Sequence, residues 1–474
     1  MTEADAVHRL SLDGVESPGD RPLEMRFDGG TVVVDGLDRR DAPSDRLKWD
    51  DRIAAHRCRA VAYRRVLGEL LRAGWTVEDC ARAYDDLQLE LSTRFEPYEH
   101  QSEALAAWES AERRAVVVLP TGAGKTFVAQ MAMHRVERST LVVVPTIDLM
   151  NQWDGVLEEG FGVEIGRIGG GDHEVRDLTV VTYDSAAIHM EHLGGRFGFV
   201  VFDEVHHLPS DFYRESAESS IAPYRLGLTA TPERSDGRHA DLPELVGPIA
   251  YRQSIDDLSG DILADYETRR VEVPMSDDDK RRYRRARGVY RDFVEDLGIR
   301  VSSPGGWRQF LGATNRSERG RRALEAYRTQ RRLALVHDRK VERLIELLVD
   351  HRDDRVLVFT DDNETVYTLS ERVLVPSITH ETGASERKEI LDRFDRGEYR
   401  TIVTSKVLNE GIDVPKANVG IVLSGSGAVR EHVQRLGRIL RRNRGGGAVL
   451  YELVTPDTVE RHVSRRRRRH DAYQ

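Results

Sequence analysis

The sequence predicts an α/β protein with two parallel-sheet lobes, a small α+β module before them and a helical insertion between them. Short β-branched runs alternate with amphipathic helical patterns in two separate stretches of the chain. The runs are mostly apolar, as is typical of strands covered by helices on both faces. They are Val116–Leu119, Leu141–Val144, Leu178–Val181, Phe199–Phe202 and Leu226–Leu228 in the first stretch, and Val356–Phe359, Thr401–Val403, Val419–Leu423 and Val449–Val454 in the second.

The remaining segments predict the other parts of the fold. Leu23–Phe27 and Thr31–Val34 alternate in polarity and flank a glycine pair, which indicates a β-rich start. Helical spacing of apolar residues predicts helices over 51–72 and 77–91. The domain limits that follow are 1–90 for the front module, 91–250 for the first lobe, 251–335 for the Arg-rich helical insertion, 336–460 for the second lobe and 461–474 for a basic tail.

Composition narrows the class of protein. The chain has 474 residues, of which 71 are Lys or Arg and 81 are Asp or Glu, so its formal charge is −10. This charge argues against a non-specific nucleic-acid binder, but bases concentrate in Arg281–Arg291, Arg316–Arg332 and Arg465–Arg469. Since no apolar run has the length of a membrane span and the start lacks a signal core, we expect a cytoplasmic protein without membrane contact. Two cysteines, Cys58 and Cys80, cannot build a four-cysteine metal site.

A phosphate-binding loop is indicated between the first run and the helical pattern at 127–135. The octapeptide Leu119-Pro-Thr-Gly-Ala-Gly-Lys-Thr126 places a glycine-rich turn there. Backbone N–H groups of Thr121, Gly122, Ala123 and Gly124 would surround the phosphates of ATP. Lys125 would neutralise phosphate charge, and the Thr126 hydroxyl would ligate Mg²⁺. Leu119 stands where such loops usually carry their first glycine, and a purely structural turn is the alternative.

Two acidic residues follow the apolar run Phe199–Phe202, in the tetrapeptide Asp203-Glu-Val-His206. Asp203, at the carboxyl end of a buried strand, can hold Mg²⁺. Glu204 can orient and deprotonate the water that attacks the terminal phosphate. Gln101 is a candidate for reading the adenine edge, although a glutamine at a helix start is commonly a surface residue. The two motifs together predict ATP and Mg²⁺ as cofactors.

The order of these motifs resembles helicase superfamily 2 over roughly 94–454. Beyond the phosphate loop and Asp203–His206, the matching segments are Val144–Trp153, Thr229–Thr231, Val358–Thr360, Thr404–Asp413 and Gln434–Arg441. The resemblance implies two RecA-like lobes that share one ATPase site, with Gln434, Arg438 and Arg441 acting in catalysis. Arg438 and Arg441 lie three apart on a helical pattern, so both guanidiniums can face the γ-phosphate from the second lobe. Asp413 would contact the ribose.

Within that superfamily, the sequence resembles the XPB branch of DNA-repair helicases. The Asp-Glu-Val-His tetrad, the loop Leu119–Thr126 and the element Trp49-Asp-Asp-Arg52 carry this likeness. The β-rich start resembles a damage-recognition module, and the insertion resembles a thumb. The resemblance implies a DNA-stimulated ATPase and 3′-to-5′ helicase or translocase on duplex or forked DNA, in nucleotide excision repair or transcription, with an endonuclease partner. Arg234-Ser-Asp236 lacks the central Glu of the family's Arg-Glu-Asp motif, which makes translocation the firmer expectation than strand separation.

The insertion has a pattern of its own. Asp277–Asp279 favour a helix start, and the arginines from Arg281 to Arg291 are interleaved with Tyr283 and Tyr290. Such a pattern suits phosphate contacts and base stacking. The alternative is a solvated helix with its tyrosines in the core. Trp307 and Phe310 are either a strand-separating wedge or a packing anchor.

Three other functions compete with a DNA motor. A restriction motor would need a nuclease, but the single Pro-Asp pair, Pro456–Asp457, follows every lysine, so a standard Pro-Asp nuclease motif is not evident. An RNA helicase is disfavoured because the Asp-Glu-Ala-Asp tetrad is absent. A non-enzymatic scaffold is disfavoured because Lys125, Asp203, Glu204 and Arg438 are all retained.

Overall fold

The structure is a computed structural model that divides into two compact units, Met1–Gln253 and Ser254–Gln474. It describes residues 8–11, 18, 21–92, 96–234, 236–258, 266–301, 305–405, 417–424, 448–458 and 460. Both units contain a parallel sheet, so the predicted α/β class with two RecA-like lobes is confirmed. Among the described residues, no helix is both long and apolar enough to cross a bilayer.

The front module is a six-stranded sheet with one long helix. Its strands are β1 (His8–Leu10), β2 (Leu23–Asp28), β3 (Thr31–Asp35), β4 (Lys48–Asp50), β5 (Ala55–Arg59) and β6 (Val77–Asp79), in the order β1-β6-β2-β3-β5-β4. The helix α1 (Tyr63–Arg72) buries its apolar face, including Val66 and Leu70, in the module's core. The β-rich start predicted from Leu23–Phe27 and Thr31–Val34 is confirmed by β2 and β3.

The helix predicted over 51–72 is wrong in its first half. Residues 55–59 form β5, which pairs antiparallel with both β3 and β4, and the α-helix begins only at Tyr63. Ile53, which was counted in the helical pattern, is 39% exposed. Cross-strand pairing within the module therefore overrides the local helical spacing.

The helix predicted over 77–91 is absent. After β6 the chain crosses the first lobe in an irregular course, stabilised by backbone hydrogen bonds to that lobe. Ala83 N donates to Gly195 O at 2.9 Å, and Leu87 N donates to Glu137 O at 2.8 Å. These long-range bonds replace those that a helix would make within itself, so the periodic apolar residues Ala81, Tyr84 and Leu89 are buried without a helix.

The first lobe is an eight-stranded sheet in the order β10-β9-β11-β8-β12-β13-β7-β14, parallel except for the β9–β10 pair. Its strands are β7 (Arg114–Val118), β8 (Thr140–Val144), β9 (Gly166–Gly169), β10 (Asp172–Glu174), β11 (Leu178–Thr182), β12 (Phe199–Phe202), β13 (Tyr224–Thr229) and β14 (Ile249–Arg252). Its helices are α2 (Glu99–Ser110), α3 (Lys125–Val136), α4 (Ile147–Phe161), α5 (Tyr183–Leu193), α6 (Glu215–Glu218) and α7 (Leu242–Leu245). The five strands predicted for this lobe are confirmed, at β7, β8, β11, β12 and β13.

Two threonines at strand ends act as helix caps. The Thr146 hydroxyl accepts a hydrogen bond from Leu149 N, and the Thr182 hydroxyl accepts one from Ser185 N. These contacts fix where α4 and α5 begin, directly after β8 and β11.

The front module and the first lobe share packed surface inside one unit. Ile221, from the segment before β13, lies in the same apolar cluster as Met25 and Val34 of the module. A Cβ built on Gly194, at the end of α5, would lie 1.8 Å from Ser219 O and 2.8 Å from Phe27 of the module. The two parts therefore meet at a close-packed seam.

The second unit contains the second lobe and the insertion. Its strands are β15 (Tyr266–Glu272), β16 (Val356–Phe359), β17 (Ser377–Ile378), β18 (Thr401–Thr404), β19 (Val419–Val422) and β20 (Ala448–Val454), all parallel in the order β15-β20-β19-β16-β18-β17. Its helices are α8 (Ile255–Leu258), α9 (Asp277–Asp296), α10 (Gly306–Thr314), α11 (Glu318–Leu335), α12 (Asp338–Asp350), α13 (Asn363–Val373) and α14 (Ala384–Asp395).

The predicted strands of the second lobe and the helix start at Asp277 are confirmed. Two strands of this lobe were not predicted. One is the short β17, and the other is β15, which lies in the segment predicted as insertion yet pairs along its whole length with β20. The sheet of the second lobe thus begins before the helical segment and resumes after it.

Candidate nucleotide-binding site

Three polar segments meet at one edge of the first lobe's sheet. The loop 119–124 follows β7, Asp203 follows β12, and Thr229 ends β13. These strands are neighbours in the order β12-β13-β7 and run parallel, so their carboxyl ends lie at the same edge. The fold therefore brings the predicted phosphate loop and the predicted acidic pair together.

The loop before α3 has the backbone of a phosphate cradle. Gly122 and Gly124 have φ of +87° and +80°, in the left-handed region where glycine is unstrained. Helix α3 starts at Lys125, so its first N–H groups face the same space as the loop. Lys125 Nζ donates to Leu119 O at 3.2 Å and to Pro120 O at 3.4 Å. The lysine is thus folded over the loop that it would close around a phosphate.

Gln101 braces this loop. Its Oε1 accepts a hydrogen bond from Tyr98 N at 3.0 Å, and its Nε2 donates to Ala123 O at 3.1 Å. His100 Nε2 lies 2.8 Å from the same carbonyl oxygen. A Cβ on Gly124 would lie 2.1 Å from Gln101 Nε2, so this position has no room for a side chain. Adenine reading by Gln101 stays a prediction, and its observed contacts are to the loop.

Asp203 is held by donors from two elements. Trp153 Nε1 donates to Asp203 Oδ2 at 2.8 Å, and the Glu204 N–H donates to Oδ1 at 2.9 Å. Tyr183 OH donates to the backbone oxygen of Asp203 at 3.0 Å. Burial raises the pKa of Asp203 to about 6, with Glu204 adding to it, while Trp153 and Lys125 act in the opposite direction. The carboxylate is thus fixed in direction and poised to gain from a nearby cation.

The donor set suits magnesium. Asp203 and Thr126 offer hard oxygens, and among the described residues no cluster of three or more His, Cys, Asp or Glu could hold a metal alone. Mg²⁺ keeps several waters and takes further ligands from substrate phosphates, so a carboxylate and a hydroxyl are a sufficient protein contribution. A zinc-like site with a complete protein shell does not fit these residues.

Glu204 belongs to a buried polar network. Its backbone is left-handed, with φ of +46°. Glu204 Oε2 lies 3.3 Å from His206 Nδ1 and 3.4 Å from Thr229 Oγ1, and His206 Nδ1 lies 3.0 Å from the same hydroxyl. Thr231 N donates to Thr229 Oγ1 at 3.2 Å. The predicted general base is therefore connected to the segment Thr229–Thr231.

Arg234 extends this network to the following loop. Arg234 Nη1 donates to the backbone oxygen of His206 at 2.7 Å, and its guanidinium pairs with Asp236 at 2.6 Å. This ion pair holds the pKa of Asp236 well below its usual range. Arg234 of the altered Arg234-Ser-Asp236 motif thus contacts the Asp203–His206 turn and is held by Asp236, and Ser235 lies outside the described residues.

The residues predicted on the second lobe fall outside the described part of the chain. These are Asp413, Gln434, Arg438 and Arg441. Their approach to Lys125 stays a prediction, as do the roles assigned to Thr121, Gly122, Ala123, Gly124, Thr126, Asp203 and Glu204. Two contributors are not predicted from the sequence: Trp153 as a donor to the Asp203 carboxylate, and His100 as a support for the loop. Trp153 lies in the helical pattern that follows a predicted strand, and this placement is a sequence signal for a role at the sheet edge. Only the fold shows that its partner is Asp203.

The aromatic residues of the insertion form a core. Tyr283 and Phe310 are buried, and Trp307 is 39% exposed with its ring 5.1 Å from that of Tyr327. Phe310 is therefore a packing residue. Tyr283 also lies in the core of the insertion, as in the alternative to base stacking given above. Several arginines remain exposed without a hydrogen bond or ion pair to any described residue: Arg284, Arg285, Arg308, Arg328 and Arg332.

Comparison with known sequences gives three family matches. Residues 25–81 match the Xeroderma pigmentosum group B helicase damage recognition domain. Residues 94–234 match the Type III restriction enzyme res subunit, and residues 320–474 match the ERCC3/RAD25/XPB C-terminal helicase.

Two relatives align over most of the chain. The chain is 41% identical to the DNA 3′-5′ translocase XPB2 of Sulfurisphaera tokodaii over 434 residues, which cover 91% of this chain and 98% of the relative. It is 33% identical to the DNA 3′-5′ helicase XPB of Mycobacterium tuberculosis, with 85% of this chain and 69% of the relative covered.

A solved structure shares the fold. The crystal structure of the Pyrococcus furiosus Hef helicase domain superimposes with a TM-score of 0.50 at 18% identity, covering 78% of this chain and 97% of the other. At 18% identity this similarity supports the architecture of the lobes and gives no information about the substrate.

Proposed function

Since this chain belongs to the XPB family of superfamily 2 DNA helicases, we propose that it is an ATP-driven DNA translocase. The observation that carries the proposal is the meeting of the glycine loop with the acidic turn Asp203–Glu204 at one sheet edge. Movement from 3′ to 5′ is proposed from the names of the relatives, both of which are described as 3′-5′ enzymes.

ATP binding is assigned to the loop and the start of α3. Backbone N–H groups of 121–124 would surround the phosphates, and Lys125 would exchange its contacts with Leu119 O and Pro120 O for phosphate oxygens. Asp203 and Thr126 would hold Mg²⁺, which neutralises phosphate charge when bound. The fixed direction of the Asp203 carboxylate, set by Trp153, supports this assignment.

Hydrolysis is assigned to Glu204 together with residues of the second lobe. Glu204 would orient the attacking water and accept its proton. Arg438 and Arg441 would stabilise charge on the transferred phosphoryl group, and Gln434 and Asp413 would complete the site. Because these groups belong to different lobes in the family pattern, turnover would require the lobes to close, which couples ATP to motion along DNA.

Contacts with DNA are assigned in part to the insertion. Arg284 and Arg285 of α9 are exposed and have no partner among the described residues, which leaves them available for phosphates. Duplex or forked DNA is the proposed substrate. Strand separation is the weaker part of the proposal, because Ser235 replaces the acidic residue of the family's motif.

The biological setting is also part of the proposal. The match of residues 25–81 to a damage recognition domain favours nucleotide excision repair, with transcription as the second setting. An endonuclease partner is proposed from family resemblance alone. We also propose that the protein acts inside the cell, in the cytoplasm, because the relatives are described as DNA enzymes.

The test is ATP hydrolysis titrated separately with duplex DNA, single-stranded DNA and RNA. We expect DNA to stimulate hydrolysis, and Lys125→Ala to abolish it by removing the charge that neutralises phosphate. Stimulation by RNA alone would make the chain an RNA motor. A DNA-stimulated activity that Lys125→Ala retains would contradict the assignment of the phosphate loop.

A further inference from the structure

A pocket rich in arginine lies at the seam between the front module and the first lobe. Its volume is about 300 Å³. Helix α1 contributes Arg64, Arg65 and Arg72, and Arg114 is the first residue of β7. Arg46, Glu112 and Glu244 also line it. The pocket therefore carries five arginines against two glutamates, and it lies at the amino end of β7, whereas the nucleotide loop follows its carboxyl end.

Three of the five arginines form no ion pair with a described residue, whereas Arg46 pairs with Asp45 at 3.2 Å. Arg64 pairs with Glu112 at 3.1 Å, and Arg72 donates only to the backbone oxygen of Gly68. Arg65 and Arg114 make no hydrogen bond or ion pair through their side chains with any residue that the structure describes. Burial, together with the nearby Arg64 and Arg65, lowers the pKa of Arg114 to about 10, while Glu112 acts in the opposite direction. An anion in the pocket would relieve this repulsion.

The neighbouring groove provides an internal comparison. A cavity of about 740 Å³ around Trp49 shares Arg46 and Glu244 with the seam pocket and is also lined by bases. There the arginines are paired within the protein. Arg52 pairs with Asp50 at 2.7 Å, Arg57 pairs with Asp28 at 2.8 Å, and Arg59 pairs with Glu218. Among the basic residues of this groove only Lys48 lacks a partner in the described part of the chain, so the unneutralised charge is concentrated in the seam pocket.

The shape of the site favours a polymer as the source of the anion. The seam pocket adjoins the Trp49 groove, with which it shares lining residues, so a bound chain could continue along the surface on that side. Lys48, exposed in that groove, has no hydrogen bond or ion pair through its side chain with a described residue. Guanidinium groups match the geometry of phosphate oxygens and contact them without reading base sequence.

We propose that the seam pocket binds a phosphate of the DNA backbone through Arg65 and Arg114. The proposal rests on the proposed DNA-translocase function and adds a contact on the first unit, away from the nucleotide edge. A contact made jointly by α1 and β7 would hold the duplex against both the front module and the first lobe. Free inorganic phosphate has the same chemistry and is distinguished by the test.

The test measures the affinity of the full chain for a fluorescent 20-base-pair duplex over a range of salt concentrations. Arg65→Gln and Arg114→Gln should each weaken binding and reduce the slope of log affinity against log salt, by up to about 0.9, the value for complete loss of one phosphate contact. The matched control is Arg26→Gln, which changes an exposed arginine of β2 that lies outside the pocket and has no partner among the residues the structure describes, and it should leave the slope unchanged.

Two further readouts separate binding from a structural role. Hydrolysis of ATP without DNA should be unchanged in Arg65→Gln. The melting temperature of Arg114→Gln should not fall, because the change removes a partly buried charge that its neighbours repel. A lower melting temperature with an unchanged salt slope would show that Arg114 supports the fold, and would overturn the proposal.

The remaining outcomes are also decisive. If the native chain binds DNA and all three variants keep its slope, the pocket proposal fails while the proposed function stands. If the native chain binds no DNA, both fail. If inorganic phosphate, at constant ionic strength, raises the melting temperature of the native chain but not of Arg65→Gln, and the DNA slopes are equal, the pocket takes a small anion and the DNA assignment is wrong.

Discussion

The carboxylate of Asp203 owes its direction to Trp153, a residue fifty positions earlier in the chain. Both side chains are buried, so their hydrogen bond has no water to replace it. A hydrogen bond between a buried donor and an ionised acceptor contributes about 1.5 to 3 kcal/mol, which is enough to decide how a metal ligand is presented. Trp153 is therefore a positioning residue for the proposed magnesium site.

Trp153→Phe tests this role by removing a single hydrogen-bond donor. Phenylalanine keeps an aromatic ring in the buried position and removes the N–H donor. We expect the Mg²⁺ concentration needed for half-maximal ATP hydrolysis to rise roughly 10- to 100-fold, as is typical when a group supporting a metal ligand is removed. The measurement is a magnesium titration of ATPase activity.

Trp108→Phe is the matched control. Trp108 is also fully buried in the first lobe, but its Nε1 donates to the backbone oxygen of Arg225 instead of to a proposed ligand. This variant should lose stability while its magnesium dependence stays that of the native chain. Equal magnesium curves for the two variants would contradict the role of Trp153.

The residues that would contact ATP and Mg²⁺ are easier to predict from the sequence than the residues that hold them in place. Lys125 and Asp203 could be placed at one sheet edge because each follows an apolar run, and parallel strands end together. Gln101 was assigned to adenine, yet it hydrogen-bonds the loop at Ala123 O, because α2 begins beside that loop. Such contacts between distant segments have no local pattern, so Trp153 and His100 could not be assigned before the fold was known.

At the scale of elements, the turn after β12 and the loop after β13 are joined by one side chain. Arg234 donates to His206 O and is held by Asp236. The polar network of Glu204, His206 and Thr229 lies between the same two segments. A change in the nucleotide site therefore has a direct connection to the segment 229–236.

Arg234→Gln should slow turnover without loss of nucleotide binding. The substitution removes a charged donor from the His206 carbonyl and leaves the phosphate loop untouched. We expect kcat for ATP to fall about tenfold, consistent with a charged hydrogen bond of about 1.5 kcal/mol, while KM for ATP changes little. Steady-state ATPase kinetics in saturating DNA provide the measurement.

Arg238→Gln serves as its control. Arg238 lies on the same segment and pairs with Asp211, but it is half-exposed and forms no hydrogen bond or ion pair with the Asp203–His206 turn. We expect nearly native kcat for this variant, because an exposed ion pair contributes about 1 kcal/mol or less to stability. A similar fall in kcat for both variants would show that the segment is generally sensitive and that Arg234 has no special connection.

Element prediction succeeded where a strand or helix is decided by its own residues. β12 and β16 are continuous apolar runs, and both were found with their observed bounds. The segment after β6 was predicted as a helix because its apolar residues recur with helical spacing. Its backbone partners Gly195 and Glu137 lie far along the chain, and no local rule could have supplied them.

At the scale of the whole chain, each unit can be considered separately. In the first unit, the front module and lobe share a close-packed seam at Gly194, Ser219 and Phe27. Because the two parts pack closely, we expect the module to contribute to the stability of the first lobe. A DNA contact on the module therefore acts on the same compact unit that contains the nucleotide loop.

Gly194→Ala tests whether the two parts unfold together. The added methyl group would lie 1.8 Å from Ser219 O, so packing must shift, and we expect destabilisation of about 3 kcal/mol. Hydrogen exchange should rise in β2 of the module as well as in α5 of the lobe. Exchange that rises in α5 alone would show that the module is independent.

Gly155→Ala is the control for this substitution. Gly155 lies within α4 with no atom within 4 Å of an added Cβ, so alanine should stabilise the chain by about 1 kcal/mol through its helix propensity. The contrast separates the effect of the seam from the general effect of replacing glycine by alanine.

The central claim is that ATP hydrolysis at the loop containing Lys125 drives movement along duplex DNA. The most direct measurement is displacement of a fluorescent third strand from a DNA triplex, which requires translocation but no separation of the duplex. We predict displacement that depends on ATP and is abolished by both Lys125→Ala and Glu204→Gln. Displacement without ATP, or undiminished in Lys125→Ala, or DNA-stimulated hydrolysis that displaces no strand, would contradict the claim.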